Sequence, residues 1–455
     1  RGTVRAIHSL GAAGLRAMAG ASALHSQRFP FPPLVPLTRS IGWLSATRVF
    51  RVDVSPQAMR PARGGLCNFR NVLKPSAVPV RWMSSGPAVS WLSTKLSKQL
   101  SKMGALQKVK EAAEKGDAKA MTLMGVCYGM GRDVEQDDAK AAEWFKKAAD
   151  AGNGEACLAY GIWLLGGKGG VARSAPEAVK YLQVAEKGGV TQAQTVLGII
   201  FMSGDDGVVR DSTKALKLFT KAAEAGDAQA MHNLGMMLTQ GIGTVVSISR
   251  GTDWIRRAAT AGVVESQFTM HCWYRDGTKQ LKQNHKKSFE WALKAANQGY
   301  DQAMHNVGAM YDEGVGVAEN KAEAMAWYKK AMELGVTDSM VNLGKCLVMN
   351  PNKREGEAQA GLELFCVAAD EGNMRGQWNA AATLWNLAEE LGLEKDAARS
   401  MAYLEQAARQ GHAQALQEQA RRYGAGEGVD KDMDKALEIQ MQAQEQRELD
   451  LRHQS

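Results

Sequence analysis

Histidine and cysteine are the side chains of this sequence that could act as nucleophile, proton carrier or metal ligand. Beyond residue 100 the histidines are His232, His271, His285, His305, His412 and His453. They form no HxxxH or HExxH pattern, and no Cys/His spacing is typical of a zinc site. His232 and His305 lie two sequence repeats apart, and at ~10 Å per helix layer that separation excludes a shared metal. We therefore expect hydrogen-bonded or partly exposed histidines, with no metal and no cofactor.

The cysteines show no pattern that is typical of a redox or disulfide site. They are Cys67, Cys127, Cys157, Cys272, Cys346 and Cys366. No CxxC motif occurs among them, and no regular pair. This favours buried or free thiols in a reducing compartment over a disulfide framework.

One glycine-rich stretch, Gly166-Gly167-Lys168-Gly169-Gly170, invites comparison with a phosphate-binding loop. It lacks the order Gly-x4-Gly-Lys-Ser/Thr, and no strand precedes it, so we interpret it as a long loop between helices. The sequence offers no set of convergent catalytic groups with matched chemistry. We predict that the protein is not an enzyme.

A repeat of 36 to 39 residues runs through most of the chain. Small residues, which we name the anchors, mark it at Ala120, Ala156, Ala193, Ala230, Ser266, Ala303, Ser339, Gly376 and Ala415. A glycine stands four residues before every anchor, from Gly116 to Gly411. Twelve residues before the anchors stand Trp144, Tyr181, Leu218, Trp254, Trp291, Trp327, Leu364 and Tyr403. Such a period indicates stacked supersecondary units.

Each unit is predicted to hold two helices, A and B. Helix A begins near the anchor and carries a Leu-Gly or similar pair, such as Leu197-Gly198, where glycine lets the helices approach closely. Helix B follows a glycine-rich loop and ends at the recurring glycine, which tolerates a left-handed conformation. Its predicted first residues are Ala141, Ala178, Ala215, Gly251, Ser288, Ala324, Gly361 and Ser400. Stacked pairs bury an apolar face that one pair alone cannot.

These motifs resemble Sel1-like repeats, relatives of the tetratricopeptide repeat, over residues 106 to 440. The unit over residues 120–156 carries Gly125, Tyr128, Gly131, Trp144-Phe145-Lys146-Lys147-Ala148-Ala149 and Gly152. The unit over residues 303–339 carries Gly308, Tyr311, Gly314, Trp327-Tyr328-Lys329-Lys330-Ala331 and Gly335. At the Leu-Gly step, His271 and Ala381 depart from the pattern. The resemblance implies an all-α, right-handed α-solenoid superhelix of antiparallel helix pairs with about eight to nine repeats. Its parts are a half-unit over 104–116, eight full pairs, and a trailing unit from Leu416 with a polar capping helix.

The resemblance also places a candidate binding groove on the A helices, because helix A lines the concave side of tetratricopeptide folds. The apolar residues in that register are Ile162, Leu165, Ile199, Met202, Met236, Phe268, Val341, Trp378 and Trp385. Such a surface suits an incoming amphipathic helix. The alternative is that several of these residues pack between neighbouring A helices.

Asparagine recurs three residues after four anchors. The residues are Asn233, Asn306, Asn342 and Asn379. Because an Asn side chain both donates and accepts hydrogen bonds, this row could hold an extended peptide backbone. Buttressing between helices is the other interpretation.

Residues 1–83 have the composition of an organelle transit peptide. They contain eleven Arg and Lys74 but one acidic residue, Asp53. The run from Arg81 to Ser85 resembles a mitochondrial processing site, with the cut after Met83. We expect the protein in the mitochondrial matrix or on the matrix side of the inner membrane. A basic arm that contacts RNA or lipid, and a plastid address, are the alternatives.

Residues 84–103 predict a basic amphipathic helix. Val89, Leu92, Leu96, Leu100 and Met103 form its apolar stripe. We expect it to cap the repeat domain, which we place at 104–455. Binding to a membrane surface through residues 89–103 is the alternative. No stretch approaches the ~20 apolar residues of a transmembrane helix.

Without the first 83 residues the chain holds 44 basic and 47 acidic residues, which argues against general nucleic-acid binding. We predict a non-catalytic scaffold or adaptor, as a structural subunit or assembly factor of a large mitochondrial complex. It would bind a protein partner, as a helix or peptide, in the groove, and take no small-molecule substrate. An RNA-associated mitochondrial protein is the second hypothesis, and an enzyme is the third.

Overall fold

The computed structural model describes residues 106–452 except 206, 279, 351–353 and 355. The predictions for residues 1–83 and 84–103 lie outside this part of the chain. Nineteen helices occur within it, with an isolated antiparallel bridge between Asp205 and Val208 and no strand among these residues. Among them, no helix combines the length and the hydropathy needed to cross a membrane.

The helices are α1 (Leu106–Glu114), α2 (Ala118–Met130), α3 (Asp138–Asp150), α4 (Gly154–Gly166), α5 (Ala175–Lys187), α6 (Thr191–Ser203), α7 (Ser212–Glu224), α8 (Ala228–Gln240), α9 (Ile248–Thr260), α10 (Val264–Asp276), α11 (His285–Asn297), α12 (Asp301–Glu313), α13 (Lys321–Glu333), α14 (Thr337–Val348), α15 (Glu357–Asp370), α16 (Met374–Trp385), α17 (Ala397–Arg409), α18 (Ala413–Ala425) and α19 (Met433–Arg452). From α2 onward, even numbers are A helices and odd numbers are B helices.

Each helix packs mainly against the helices directly before and after it in the chain. The result is a solenoid: α1 stands alone, eight pairs follow from α2–α3 to α16–α17, and α18–α19 ends the stack. This confirms the all-α solenoid prediction and its count of units. The trailing unit begins at Ala413, three residues before the predicted Leu416.

Polar caps fix where most helices begin. The Asp227 carboxylate accepts a hydrogen bond from the Ala230 N–H in α8, and Asp211 accepts one from the Lys214 N–H in α7. Such caps satisfy N–H groups that have no partner within the helix. The predicted B-helix starts are therefore wrong, because each B helix begins three or four residues earlier. Ala215, for example, is a buried residue inside α7.

The recurring glycine follows the end of α1 and of each B helix from α3 to α17, as predicted. All nine of these glycines, from Gly116 to Gly411, have φ between 79° and 99°. An L side chain is strained in this left-handed region, whereas glycine is not. The next residue is the N-cap position of the following A helix, and the anchor lies four residues after the glycine.

A glycine on helix A faces a large side chain of helix B within most pairs. A methyl group on Gly308 would lie 2.7 Å from Cδ1 of Tyr328, and one on Gly198 would lie 2.7 Å from Cε1 of Phe219. Both rings are at most 1% exposed. The ring fills the space that a side chain on helix A would need, so the predicted close approach is confirmed.

In the pair α10–α11 the large side chain is on helix A and the small one is on helix B. His271 stands where most other A helices have glycine, and Ala292 stands where other B helices have a ring or a branched side chain. The imidazole Nδ1 donates to the Ser288 carbonyl oxygen at 3.1 Å, and Nε2 accepts from Asn306 Nδ2 at 3.1 Å. Exchanging the large and small partners conserves volume. Burial lowers the pKa of His271 to about 4.

Two further histidines join one repeat to the next. His232 Nδ1 lies 2.7 Å from Ser266 Oγ, and His305 Nδ1 lies 2.7 Å from Ser339 Oγ. The two serines are anchors, and a serine anchor follows each repeat with histidine two residues after its own anchor. Burial lowers the pKa of both histidines to about 4. Hydrogen-bonded histidines are what the sequence predicted.

Replacing Gly308 with alanine should destabilise the protein by about 1–3 kcal/mol, because the new methyl group overlaps the buried Tyr328 ring. The matched control is Gly166→Ala, at the last residue of α4, where a Cβ would meet nothing within 4 Å. Urea unfolding of both variants measures the difference. Equal midpoints for the two variants would contradict the packing account.

Acid should weaken the fold between pH 6.5 and 4. An unfolded histidine has a pKa of about 6.5, whereas folded His271 has a pKa of about 4. In this window the unfolded chain binds the extra proton, so the free energy of unfolding falls as pH falls. His271→Gln should reduce that slope by about 1.4 kcal/mol per pH unit. Urea titrations at several pH values test this, and an unchanged slope in the variant would refute it.

Candidate partner-binding surface

Most of the apolar residues predicted for the groove lie in the core. Ile162, Leu165, Ile199, Met236 and Val341 are each at most 5% exposed. Their helices pack between partners on several sides, and ten consecutive residues of α4 are buried. Their assignment to an open groove is therefore corrected, because these side chains contact neighbouring helices and support the surface from inside.

The other four residues, Met202, Phe268, Trp378 and Trp385, are partly exposed. They are spread over α6, α10 and α16, so the structure does not gather all four into one site. The Phe268 ring lies 4.9 Å from the ring of Tyr300, which precedes α12. These contacts join successive repeats and leave part of each ring at the surface. Partner binding by these residues stays a prediction.

Trp378 and Trp385 lie on the same A helix, α16, near the end of the stack. The Trp378 ring stacks on His412 with centroids 5.2 Å apart. Trp385 lies 5.3 Å from the guanidinium carbon of Arg422, which is 1% exposed and hydrogen-bonded to Glu418 and Ser400. Trp385 thus contacts a buried charged cluster, so its replacement would disturb the core. Trp378 contacts His412 instead, so its replacement tests the surface with less effect on the core.

The asparagine row mainly buttresses helices. Asn306 donates to His271 of the preceding repeat, and Asn342 accepts from Arg375 Nη2 of the next repeat at 3.1 Å. Asn379 donates to the Arg375 carbonyl in its own helix at 2.6 Å. Asn233 is half-buried. These contacts favour the buttressing interpretation, and peptide binding by the row stays a prediction.

The B helices carry a feature that our sequence reasoning missed. Tryptophan is followed three residues later by Lys or Arg, and the cation lies over the indole, in four of them: Trp144–Lys147, Trp254–Arg257, Trp291–Lys294 and Trp327–Lys330. The distances to the ring centroids are 4.0 to 4.9 Å. The repeated Trp-x-x-Lys/Arg spacing in the sequence indicates these cation–indole pairs.

The thiols are poorly suited to nucleophilic chemistry. Among the described residues, Cys127, Cys157, Cys346 and Cys366 are free. Burial raises the pKa of the Cys157 and Cys346 thiols to about 11, so they stay protonated at neutral pH. Across the described residues, no three His, Cys, Asp or Glu side chains gather around a possible metal position. The glycine stretch from Gly166 joins α4 to α5, with no strand before it.

Comparison with protein families gives a match to the Sel1 repeat over more than half of the chain. The matched segments are 118–153, 154–190, 191–227, 228–263, 272–300, 301–336, 377–412 and 418–438. The pair α14–α15 lies outside them. It nevertheless folds alike, since a methyl group on Gly344 would lie 2.7 Å from Cε1 of Phe365.

Two fungal proteins are similar to part of this chain. Chitin synthase regulatory factor 3 of Schizosaccharomyces pombe is 33% identical over 95 residues, which are 21% of this chain and 10% of that protein. The chitin synthase regulator SKT5 of Saccharomyces cerevisiae is 31% identical over 84 residues, 18% of this chain and 12% of that protein. The chain thus spans about a tenth of the length of these relatives.

Two solved structures are also similar. A Sel1 repeat protein from Oxalobacter formigenes is 25% identical, with a TM-score of 0.47, covering 72% of this chain and 92% of that one. A protective antigen of uropathogenic Escherichia coli with an SLR fold is 26% identical, with a TM-score of 0.41, covering 82% and 90%. Five of the matched segments each span one helix pair of the structure, and the other three cover parts of a pair. This chain belongs to the Sel1 repeat family.

Proposed function

We propose that the protein is a non-catalytic scaffold that holds a protein partner on the surface of its repeats. The observation that carries the proposal is the partly exposed Trp378 ring, fixed in place on His412 at a repeat boundary. Tryptophan held in a rigid setting is a common energetic centre of protein interfaces. Binding to a surface that is already formed also loses little conformational entropy.

The family membership and the fungal relatives support a binding role. Sel1 repeats mediate protein–protein interaction. The two fungal relatives are named as regulators of chitin synthase, that is, of another protein. Because the similarity covers only repeats, we carry over the general role of acting through a protein partner and not the identity of that partner.

We further propose that the partner belongs to a large mitochondrial assembly, of which this protein is a structural subunit or an assembly factor. The support is the composition of residues 1–83, with twelve basic residues and one acidic residue. The membrane potential across the inner membrane draws such a segment inward. The free thiols of Cys127, Cys157, Cys346 and Cys366 are compatible with a reducing compartment.

A Trp378→Ala variant should recover its partner from organelle extracts at about one fifth of the wild-type yield or less, because it loses a fixed aromatic contact. Quantitative pull-down with mass spectrometry measures the yield. The matched control is Trp144→Ala, which removes a partly exposed tryptophan from the opposite end of the stack. Circular dichroism should show both variants folded.

Two outcomes of this pull-down would count against the proposal in different ways. Equal recovery by Trp378→Ala and wild type would show that the α16 surface is not the one used. Failure of the wild type itself to recover any protein specifically would contradict the scaffold function.

The mature protein isolated from mitochondria should begin at Ser84. Mass spectrometry of the N-terminus checks this directly. Arg81→Ala should slow or shift the cut, because it removes the arginine three residues before it. Organelle-purified protein that retains residues 1–83 would refute the import proposal.

A further inference from the structure

An open cleft of about 700 Å³, which we name the α5–α7 cleft, lies where the B helices of two successive repeats begin. It is bordered by the first turns of α5 and α7 and by the loop that joins α6 to α7. Its apolar lining residues are Pro176, Val179, Phe201, Val208 and Val209. Val209 is 86% exposed, so an apolar side chain stands uncovered at the rim.

The loop beside the cleft is held by contacts to the elements around it. Arg173 Nη2, just before α5, donates to Asp205 Oδ1 at 2.6 Å. The Asp211 N–H donates to the Phe201 carbonyl oxygen at 2.7 Å. A Cβ on Gly207 would lie 2.8 Å from Cγ of Pro176, so the loop also rests against α5. The cleft is thus formed before any partner binds, and binding loses little ordering entropy.

The charged side chains that line the cleft are mostly cationic. Lys180, Arg210 and Lys214 are exposed, and among the described residues no carboxylate lies within 4.0 Å of their cationic groups. The Lys214 Nζ lies over the Phe201 ring, 3.8 Å from its centroid. The one acidic residue of the lining, Asp211, accepts the Lys214 N–H at 2.8 Å as the cap of α7. Three cations without an ion-pair partner therefore surround an apolar floor.

The three cations are not a requirement of the repeat fold. They stand six residues after the cap of one B helix, and one residue before and three residues after the cap of the next. Of the successive B-helix pairs from α3 to α17, only α5 and α7 hold three cations at these positions. Between α11 and α13 the same positions hold Glu290, Glu319 and Glu323. Since the repeat also folds with the opposite charge there, the cations of the α5–α7 cleft are available for binding.

We propose that the α5–α7 cleft binds a protein segment in which an apolar side chain is flanked by carboxylates, an inference that rests on the scaffold function proposed above. The apolar side chain lies against Val179, Val208 and Val209 and takes their exposed surface out of water. The carboxylates pair with the cations of the rim in charge-assisted contacts. Such charge complementarity selects the partner and speeds its association.

Small acidic molecules and nucleic acid fit this cleft less well. Small-molecule sites commonly bury about 70–90% of the ligand, whereas Gly207, Val209 and Arg210 are exposed and leave this cleft open. Binding of single-stranded nucleic acid relies on open aromatic faces for base stacking. The aromatic ring of the lining, Phe201, is 8% exposed and lies beneath Lys214. A protein segment can extend beyond the cleft and needs no base-stacking surface.

The test uses the full chain and a fluorescein-labelled Gly/Ser peptide of twelve residues with a central Glu-Leu-Glu-Glu, titrated by fluorescence anisotropy. The triple variant Lys180→Gln, Arg210→Gln, Lys214→Gln should bind about tenfold more weakly than wild type. The matched control makes the same change in net charge at three exposed cations outside the lining: Lys217→Gln, Arg250→Gln, Lys287→Gln. Its affinity should stay within about twofold of wild type.

The apolar part of the site has its own readouts. Val209→Ser, at an exposed residue, should weaken binding about threefold, and a peptide with Ser in place of Leu should lose a similar factor. Urea unfolding midpoints verify that the variants are folded, and Val209→Ser keeps the test decisive if the triple variant is not.

Three results would overturn the proposal. The first is equal affinity of the triple variant and its control, and the second is equal binding of the Leu and Ser peptides. The third is preferential binding of a uridine 20-mer or of myristate that depends on the same three cations.

The organelle pull-down separates this inference from the scaffold function. If the wild type and the triple variant recover the same partner equally, the scaffold function stands and the α5–α7 cleft has no role in it. If the wild type recovers no partner, the scaffold function itself fails and this inference falls with it.

Discussion

The distance between the two helices of a pair is the constraint on which the rest of the structure depends. Glycine on helix A, as at Gly198, lets a buried ring of helix B lie against the backbone. Burying such a side chain contributes about 2–3 kcal/mol, and it is available only while the helices stay close. The pair is then thin enough for the next pair to stack on it, which buries the remaining apolar face.

The contacts between repeats change character along the stack. In the first repeats they are mainly apolar, as the fully buried residues of α4 show. In the middle they include hydrogen bonds of His232 to Ser266, of His271 to Asn306 and of His305 to Ser339. Buried polar groups need partners at defined positions, so these contacts fix the register of neighbouring repeats more strictly than apolar packing does. They also make the middle of the stack its acid-sensitive part.

The sequence predicts the period, the helix pairs and the glycine turns because each depends on a local backbone requirement. It even predicts α14–α15, through anchor Ser339 and Gly344, where the family model finds no match. Helix starts were misplaced because a small residue such as Ala215 marks a packing position, whereas the cap Asp211 marks the start.

The binding surface is less predictable, since exposure depends on neighbours that are distant in sequence. Leu165 and Val341 share a register with the partly exposed Trp385 and Trp378, yet both are buried.

A double-mutant cycle at Gly198 and Phe219 tests the packing constraint most directly. Gly198→Ala should destabilise the protein in the presence of the Phe219 ring but cost much less once Phe219→Ala has made room for the new methyl group. Urea unfolding of the four proteins should therefore give a coupling energy above about 1 kcal/mol. Additive effects, within about 0.5 kcal/mol, would contradict the claim that the ring and the glycine together set the distance between the helices.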